Sequence, residues 1–185
     1  MAIKKTRQMN RPNNMLNLFE HLDEELANYN ITNAEDLLKQ FDNIQYPINL
    51  NIILDRLNLQ LEERELSNEL SGILDLNNNT IIVESRHSRE RQHFTIAHEI
   101  AHYCLHKNQD SLFEDKIFFR GIDNNSIEYQ ANNFAGELLM PKSEFLSQIE
   151  NGNKSIVGLA QYFGVSTLAI RVRAKNLNLT GHGLW

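Results

Sequence analysis

The 185-residue chain contains the stretch His98-Glu99-Ile100-Ala101-His102, around which the rest of the sequence is organised. On an α-helix, residues four apart project from the same face about one turn apart, so both imidazoles can reach a single metal ion. Glu99 follows His98 by about 100° around the helix, close enough to act on a metal-bound water without being a ligand. The spacing is typical of a zinc hydrolase in which His98 and His102 bind the metal and Glu99 is the catalytic acid/base.

The helix around this motif is predicted to run from about residue 88 to about residue 106. Apolar residues surround it on nearly all sides, which is typical of a buried helix. The single cysteine, Cys104, is therefore interpreted as a core residue. His106 continues the four-residue spacing, but about 12 Å of helix rise separates it from His98, too far to share one ion. We interpret His106 as a packed or capping histidine.

A catalytic zinc site usually has three protein ligands, so a third must come from another part of the chain. Glu128 begins a helix predicted over about residues 126–140. It shares a stripe with small and apolar residues, where a carboxylate is costly unless it is paired or binds a metal. Glu137 falls on the other side of that helix. The alternative for Glu128 is an acid favoured by the helix N-terminus, but beside the metal helix we predict that it is the third ligand.

Two further roles are open at this stage. Asn132, one turn after Glu128, either hydrogen-bonds that ligand or is an ordinary mid-helix asparagine. Peptide hydrolysis also needs a donor to the developing oxyanion, and the candidates are Tyr103, Tyr129, His93 and Arg120. Zinc is the default metal for two histidines and a carboxylate, although Mn²⁺ or Fe²⁺ also suits such ligands.

The hydrophobic pattern before the motif changes from helical to strand-like. Residues 1–13 are polar and are predicted to form a flexible tail. Amphipathic helices are predicted over residues 15–29, 34–41 and 49–57. Two strands, residues 72–76 and 80–84, are predicted on either side of an Asn-rich turn. An edge strand beside the metal helix would offer its backbone groups to an extended peptide.

The C-terminal part, residues 151–185, is predicted to be a helical segment packed on, or appended to, a metallopeptidase domain of residues 14–150. A serine-capped helix, a turn at Gly164 and a second serine-capped helix form the pattern of a helix-turn-helix. The second helix carries three cations, which could meet DNA phosphates or base edges: Arg171, Arg173 and Lys175. The alternative is therefore a DNA-binding regulator whose metal site is structural.

The composition of the chain bears on DNA binding and on where the protein is found. The net charge of −6 argues against DNA binding by the chain as a whole, so we favour packing or docking to a protein for the C-terminal helices. A single cysteine fits a reducing compartment. The basic N-terminus is followed by polar residues instead of an apolar run, and no stretch approaches the ~20 apolar residues needed to cross a bilayer. We expect a cytoplasmic protein.

Three segments together resemble the ImmA/IrrE family of bacterial and phage metallopeptidases. They are residues 91–103 (RQHFTIAHEIAHY), residues 128–141 (EYQANNFAGELLMP) and residues 159–173 (LAQYFGVSTLAIRVR). The resemblance covers roughly residues 45–180. Two positions differ from the family pattern: Ala101 stands where glycine is frequent, and His93 where arginine is frequent.

The resemblance implies an α+β fold: a mostly helical, zincin-like metallopeptidase domain with a small β-sheet beside the HExxH helix. It also implies a metal held by His98, His102 and Glu128, with Glu99 as the acid/base. Members of the family cleave helix-turn-helix repressors and so derepress genes of mobile elements, phages or stress responses. A cognate repressor is therefore the expected partner. An antirepressor that binds its partner without cutting it is the further alternative.

Overall fold

The computed structural model describes residues 31–67, 69–116 and 127–179. These residues belong to one compact unit, Ile31–Trp185. Within the described ranges the chain forms seven helices and four strands, which is consistent with the predicted α+β class. The predicted tail, the predicted helix over residues 15–29 and Arg120 lie outside the described residues.

The elements follow one another in a mixed order along the chain. The helices are α1 (Ala34–Leu38), α2 (Leu50–Arg56), α3 (Arg89–His106), α4 (Ile127–Leu139), α5 (Lys142–Glu150), α6 (Ile156–Phe163) and α7 (Thr167–Asn176). The strands are β1 (Gln60–Arg64), β2 (Leu70–Asp75), β3 (Thr80–Glu84) and β4 (Leu112–Lys116).

The four strands form one sheet in the order β1-β3-β2-β4. β1 runs parallel to β3, while β2 is antiparallel to both β3 and β4. β2 and β3 are the predicted hairpin, and the Asp75 carboxylate closes its turn by accepting from the Asn77 N–H at 3.0 Å. Both strands are internal. The sheet edges are β1 and β4, which the sequence analysis did not predict.

Helix α3 lies against the sheet and against α4, so it is central to the part of the chain that the structure describes. Its first turn is capped by the Ser88 hydroxyl, which accepts from the Arg91 N–H at 3.4 Å. The link between β3 and this helix is ordered by Glu84 at the end of β3, whose side chain is 3% exposed. The Glu84 carboxylate accepts from the Arg86 guanidinium at 2.7 Å and from the Leu66 N–H at 2.8 Å.

The C-terminal helices α6 and α7 pack into the same hydrophobic core as the rest of the described chain. Ser155 and Ser166 cap them by accepting from backbone N–H groups at 2.9 and 3.1 Å. Gly164 makes the turn between them with a φ of 63°, the left-handed region that glycine adopts without steric cost. The three cations of α7, which the alternative of DNA binding would use, are not equivalent. Arg173 is buried and donates to the Met140 carbonyl at 2.9 Å, so it is a structural residue.

Among the described helices, none combines the length and the apolar composition that crossing a bilayer requires.

Candidate metal centre

Helices α3 and α4 bring His98, His102 and Glu128 together. The two imidazoles are buried, 2% and 1% exposed, and their Nε2 atoms lie 3.0 Å apart. Glu128, in the first turn of α4, places Oε2 3.2 Å from His98 Nε2 and Oε1 3.4 Å from His102 Nε2. The three side chains therefore bring potential ligand atoms to one point: two imidazole nitrogens and the oxygens of the Glu128 carboxylate.

The spacing of these atoms suits a zinc ion. Tetrahedral bonds of about 2.0–2.1 Å place neighbouring ligand atoms about 3.3–3.4 Å apart. The two imidazole nitrogens are 3.0 Å apart, and each lies 3.2 or 3.4 Å from one oxygen of the Glu128 carboxylate, which is close to that edge length. Glu128 is 26% exposed, so the group opens towards solvent on the side of α4. The residues present fit a divalent metal with an open position.

The protonation states also suit a metal. Burial lowers the pKa of His102, although its hydrogen bond with Glu128 opposes this. Burial raises the pKa of the Glu128 carboxyl, but hydrogen bonds and charge attraction from His102 and His98 outweigh it, so the net pKa is well below the ordinary value. A neutral imidazole and an ionised carboxylate are the ligand forms of these side chains.

Glu99 lies on the side of α3 that faces the sheet. Its side chain is fully buried, and neither carboxylate oxygen has a hydrogen-bond partner among the described residues. Burial raises its pKa well above the ordinary value, and the negative charges of Asp115 and Glu128 add to this. A buried, unpartnered carboxylate beside a set of metal ligands is placed to exchange a proton instead of stabilising the fold.

The comparison with protein families agrees with this geometry. The family model that describes the IrrE N-terminal-like domain of peptidases matches residues 54–175, which is more than half of the chain. The chain belongs to the ImmA/IrrE family of metallopeptidases. A comparison with curated proteins gave no match.

Strand β4 of this metallopeptidase contributes two residues that the sequence analysis did not assign to the site. Phe113 stacks on the His102 ring, with centroids 4.8 Å apart and an interplanar angle of 22°. Asp115 is buried, and one of its oxygens lies within 4.8 Å of potential ligand atoms of His98 and Glu99. Alternation along a strand puts Phe113 and Asp115 on one face of β4 and could have indicated both residues. They were not assigned because β4 itself was not predicted.

The remaining candidates are spread around the metallopeptidase site. Asn132 is partly buried on α4, and within the described ranges its side chain makes no hydrogen bond to Glu128. Tyr129 is 44% exposed, and Tyr103 is partly buried with Lys107 Nζ 5.0 Å from its ring centre. Both tyrosines stay candidates for the oxyanion donor.

His93 does not suit the oxyanion role. Its Nδ1 lies 3.0 Å from the Gly164 carbonyl and its Nε2 lies 3.0 Å from the Ile48 carbonyl. Both ring nitrogens are therefore occupied by backbone groups of other elements. The geometry gives His93 a structural role in which it links α3 to the turn before α7 and to the residues before α2.

His106 and Cys104 are both in the last turns of α3. His106 is 1% exposed, and its Nδ1 lies 3.1 Å from Nδ1 of His102, on the side of that ring away from Glu128. It is a packed histidine, as the helix geometry predicted. Cys104 packs against the core, and burial raises the pKa of its thiol to about 12, so it is not a reactive thiolate.

Proposed function

We propose that this protein is a zinc-dependent endopeptidase that cleaves a helix-turn-helix transcriptional repressor at a specific site. Its action would derepress genes of a mobile element, a phage or a stress response. The observation that carries the peptidase part is the convergence of His98, His102 and Glu128 within 3.0–3.4 Å, next to the buried Glu99. The repressor as substrate is proposed from the resemblance to the family.

In the proposed reaction, His98, His102 and Glu128 hold the metal. When bound, zinc polarises the scissile carbonyl and lowers the pKa of an attacking water towards ~7. Mn²⁺ and Fe²⁺ are the other metals that this ligand set accepts. Glu99 accepts the proton of the attacking water and passes it to the leaving amine. Tyr103, Tyr129 or Arg120 would donate to the oxyanion.

The outer edge of β4 is where we expect an extended substrate to bind. β4 pairs with β2 on one side only in the sheet of the described residues. Its Phe113 and Asp115 lie beside the metal ligands and Glu99. A substrate strand that pairs with the outer edge of β4 would pass across the site, as peptides do when they extend a sheet. The scissile segment of the repressor is thus expected to be an extended linker or a locally opened region.

The surface of α7 favours a protein partner over DNA. Arg173 is committed to the Met140 carbonyl and lies 3.7 Å from Glu137. The exposed residues of α7 include Leu168, 68% exposed, and Val172, as well as Arg171 and Lys175. A mixed apolar and basic face is typical of a surface that docks another protein. Docking without cleavage is the antirepressor alternative.

The deciding experiment uses the metal-loaded full chain and the repressor encoded beside its gene. The peptidase proposal predicts a defined pair of repressor fragments, which a chelator abolishes and added Zn²⁺ restores. Loss of operator binding by the repressor without any cut would support the antirepressor instead. A shift of operator DNA by this protein alone would support the DNA-binding regulator.

A further inference from the structure

A chain of hydrogen bonds leads away from the proposed metal site, from two buried histidines on α3 to an exposed side chain on α4. His102 Nδ1 lies 3.1 Å from His106 Nδ1, and His106 Nε2 lies 3.1 Å from Oε1 of Gln130 on α4. Both imidazoles are 1% exposed. Because each buried ring nitrogen needs a partner, the three side chains form one connected set.

His106 contacts the side of the His102 ring that the metal would not use. Nε2 of His102 faces His98 and Glu128, whereas Nδ1 faces His106. The third histidine of the four-residue series is therefore a partner of a ligand and not a ligand. Phe113 holds the same ring from its face, at a centroid distance of 4.8 Å.

Metal binding allows only one arrangement of protons in this set. A metal on Nε2 of neutral His102 requires the single ring proton to be on Nδ1. That proton is donated to Nδ1 of His106, which must then carry its own proton on Nε2. His106 Nε2–H donates to the Gln130 carbonyl oxygen, which can only accept. Each nitrogen of the two rings then has a partner, and neither ring carries a charge.

The opposite direction would block the metal. If the Gln130 amide were reversed, its NH₂ would donate to His106 Nε2, and His106 Nδ1–H would donate to His102 Nδ1. The proton of His102 would then be on Nε2, where a metal cannot bind. The orientation of the Gln130 amide on α4 therefore determines whether His102 on α3 has its proton on Nδ1, which leaves Nε2 able to bind a metal.

We propose that His106 and Gln130 are positioning residues that hold His102 in its metal-binding tautomer, with Gln130 setting the direction of the hydrogen-bond chain. This inference rests on the proposed function, because it assumes that His102 is a metal ligand. Ligating histidines in proteins generally donate their second ring nitrogen to a carboxylate, carbonyl or water, and losing that partner costs roughly 10- to 100-fold in metal affinity. Here a neutral histidine takes that place.

The test measures zinc affinity of the full chain by competition with a chromophoric chelator. His106→Leu removes the acceptor and should weaken zinc binding roughly 10- to 100-fold, whereas His106→Asn, whose Oδ1 replaces Nδ1, should stay within about threefold of wild type. Affinity of His106→Leu equal to that of wild type would overturn the proposal. Equal losses in the Asn and Leu variants would also overturn it, since that result indicates packing alone.

Gln130 provides a second series, because it is exposed and its substitution should not impair folding. Gln130→Glu keeps an acceptor at the end of the chain and should retain zinc affinity. Gln130→Met has a similar shape but no acceptor, and it should bind zinc more weakly than Gln130→Glu. Equal zinc affinities in the two variants would remove Gln130 from the proposal.

The tautomers of His102 and His106 are a second measurement, because a purely structural role of His106 predicts no particular tautomer. In zinc-loaded protein with ¹⁵N-labelled histidine, long-range ¹H–¹⁵N spectra should show His102 protonated on Nδ1 and His106 protonated on Nε2. His106 protonated on Nδ1 would contradict the proposal. His102→Ala separates the two levels of inference. If His102→Ala binds zinc as tightly as wild type, the proposed metal centre is wrong. If His102→Ala loses zinc affinity but His106→Leu does not, only the positioning role is wrong.

Discussion

Gly72 on β2 lies directly against the carboxylate of Glu99 on α3. A methyl group at position 72 would be 2.8 Å from Glu99 Oε1 and would also meet Thr95 Cγ2 at less than contact distance. In the sheet, Gly72 is paired with Asp115 of β4, whose charge contributes to the raised pKa of Glu99. The absence of a side chain at this position therefore makes the space that the proposed catalytic carboxylate occupies.

Gly72→Ala should reduce proteolysis more than it reduces zinc affinity. The added methyl displaces the Glu99 carboxylate, and a misplacement of about 1 Å costs on the order of 10²-fold in rate. The metal ligands are on α3 and α4 and should still bind zinc. Overpacking should also cost about 1–3 kcal/mol of stability. Cleavage rate, zinc affinity and urea unfolding check these three effects.

A double variant separates the two contacts of the new methyl. Gly72→Ala combined with Thr95→Ala removes the clash with Thr95 but leaves the clash with Glu99. It should recover part of the lost stability without recovering the rate of cleavage. If stability and rate recovered together, displacement of Glu99 would not be the cause of the lost activity.

Glu99→Gln should keep zinc binding and lose peptide cleavage. The amide is nearly isosteric but cannot accept the proton, and general acid–base catalysis contributes roughly 10²–10⁴-fold. Because Glu99 is a buried acid without a partner, the metal-free variant should unfold at no lower urea concentration than wild type. Glu90→Gln, exposed in the first turn of the same helix, is the matched control and should be fully active. Full activity of Glu99→Gln with zinc retained would end its assignment as the base.

Glu128→Ala should weaken zinc binding by more than ~100-fold. Removing a residue that only hydrogen-bonds a metal ligand already lowers metal affinity roughly 10- to 100-fold, and removing a ligand itself should lower it further. The control is Glu137→Ala on the exposed side of the same helix, where the carboxylate pairs with Arg173 at 3.7 Å. That variant should bind zinc as wild type does. Zinc content can be measured after dialysis and related to affinity by chelator competition. Equal zinc affinity in the Glu128 variant would require another third ligand.

The parts of the fold that the sequence predicted are those with local signals. The helices that became α3, α6 and α7 have apolar periodicity and serine caps, and the β2–β3 hairpin has alternating residues around an Asn-rich turn. β1 and β4 were missed because their short, charged sequences form strands only through pairing with β3 and β2. Helix α5 was missed as well, since it starts after Pro141 without a side-chain cap.

The candidate site shows the same division. The proximity of His98 and His102 could be predicted from spacing within one helix, and the inward position of Glu128 from its place on the apolar face of another. The contacts of Gly72, Asp115 and Gln130 could not be assigned, because each depends on how α3 meets the sheet or α4. The contacts of His93 could not be predicted for the same reason: its two carbonyl partners, Gly164 and Ile48, are distant in sequence.

Acid should destabilise the junction between β3 and α3 through Glu84. Hydrogen bonds from Arg86 and Leu66 hold the pKa of Glu84 well below the ordinary value. A depressed folded-state pKa contributes stability that is present above the unfolded value of about 4.3 and is lost as the pH falls below it. Glu84→Gln should therefore be less stable than wild type at pH 7, and the difference should shrink in acid.

Urea unfolding of metal-free protein from pH 7 downwards measures that difference. Glu150→Gln, at the exposed end of α5, serves as the control and should follow the wild-type curve. If wild type and Glu84→Gln differed by a constant amount across the whole pH range, the carboxylate of Glu84 would not be the group that titrates.

His93→Ala should lower stability and leave catalysis nearly unchanged. The substitution removes the ring that lies 3.0 Å from both the Gly164 and Ile48 carbonyls, and lost hydrogen bonds at partly buried groups cost about 1–3 kcal/mol. His93→Arg provides two N–H donors and should be the more stable of the two variants. An oxyanion donor would behave differently, since removing one costs roughly 10²–10³-fold in kcat. Urea unfolding and kcat, measured well below the melting temperature, therefore distinguish the roles: a large loss of kcat with unchanged stability would return His93 to the catalytic site.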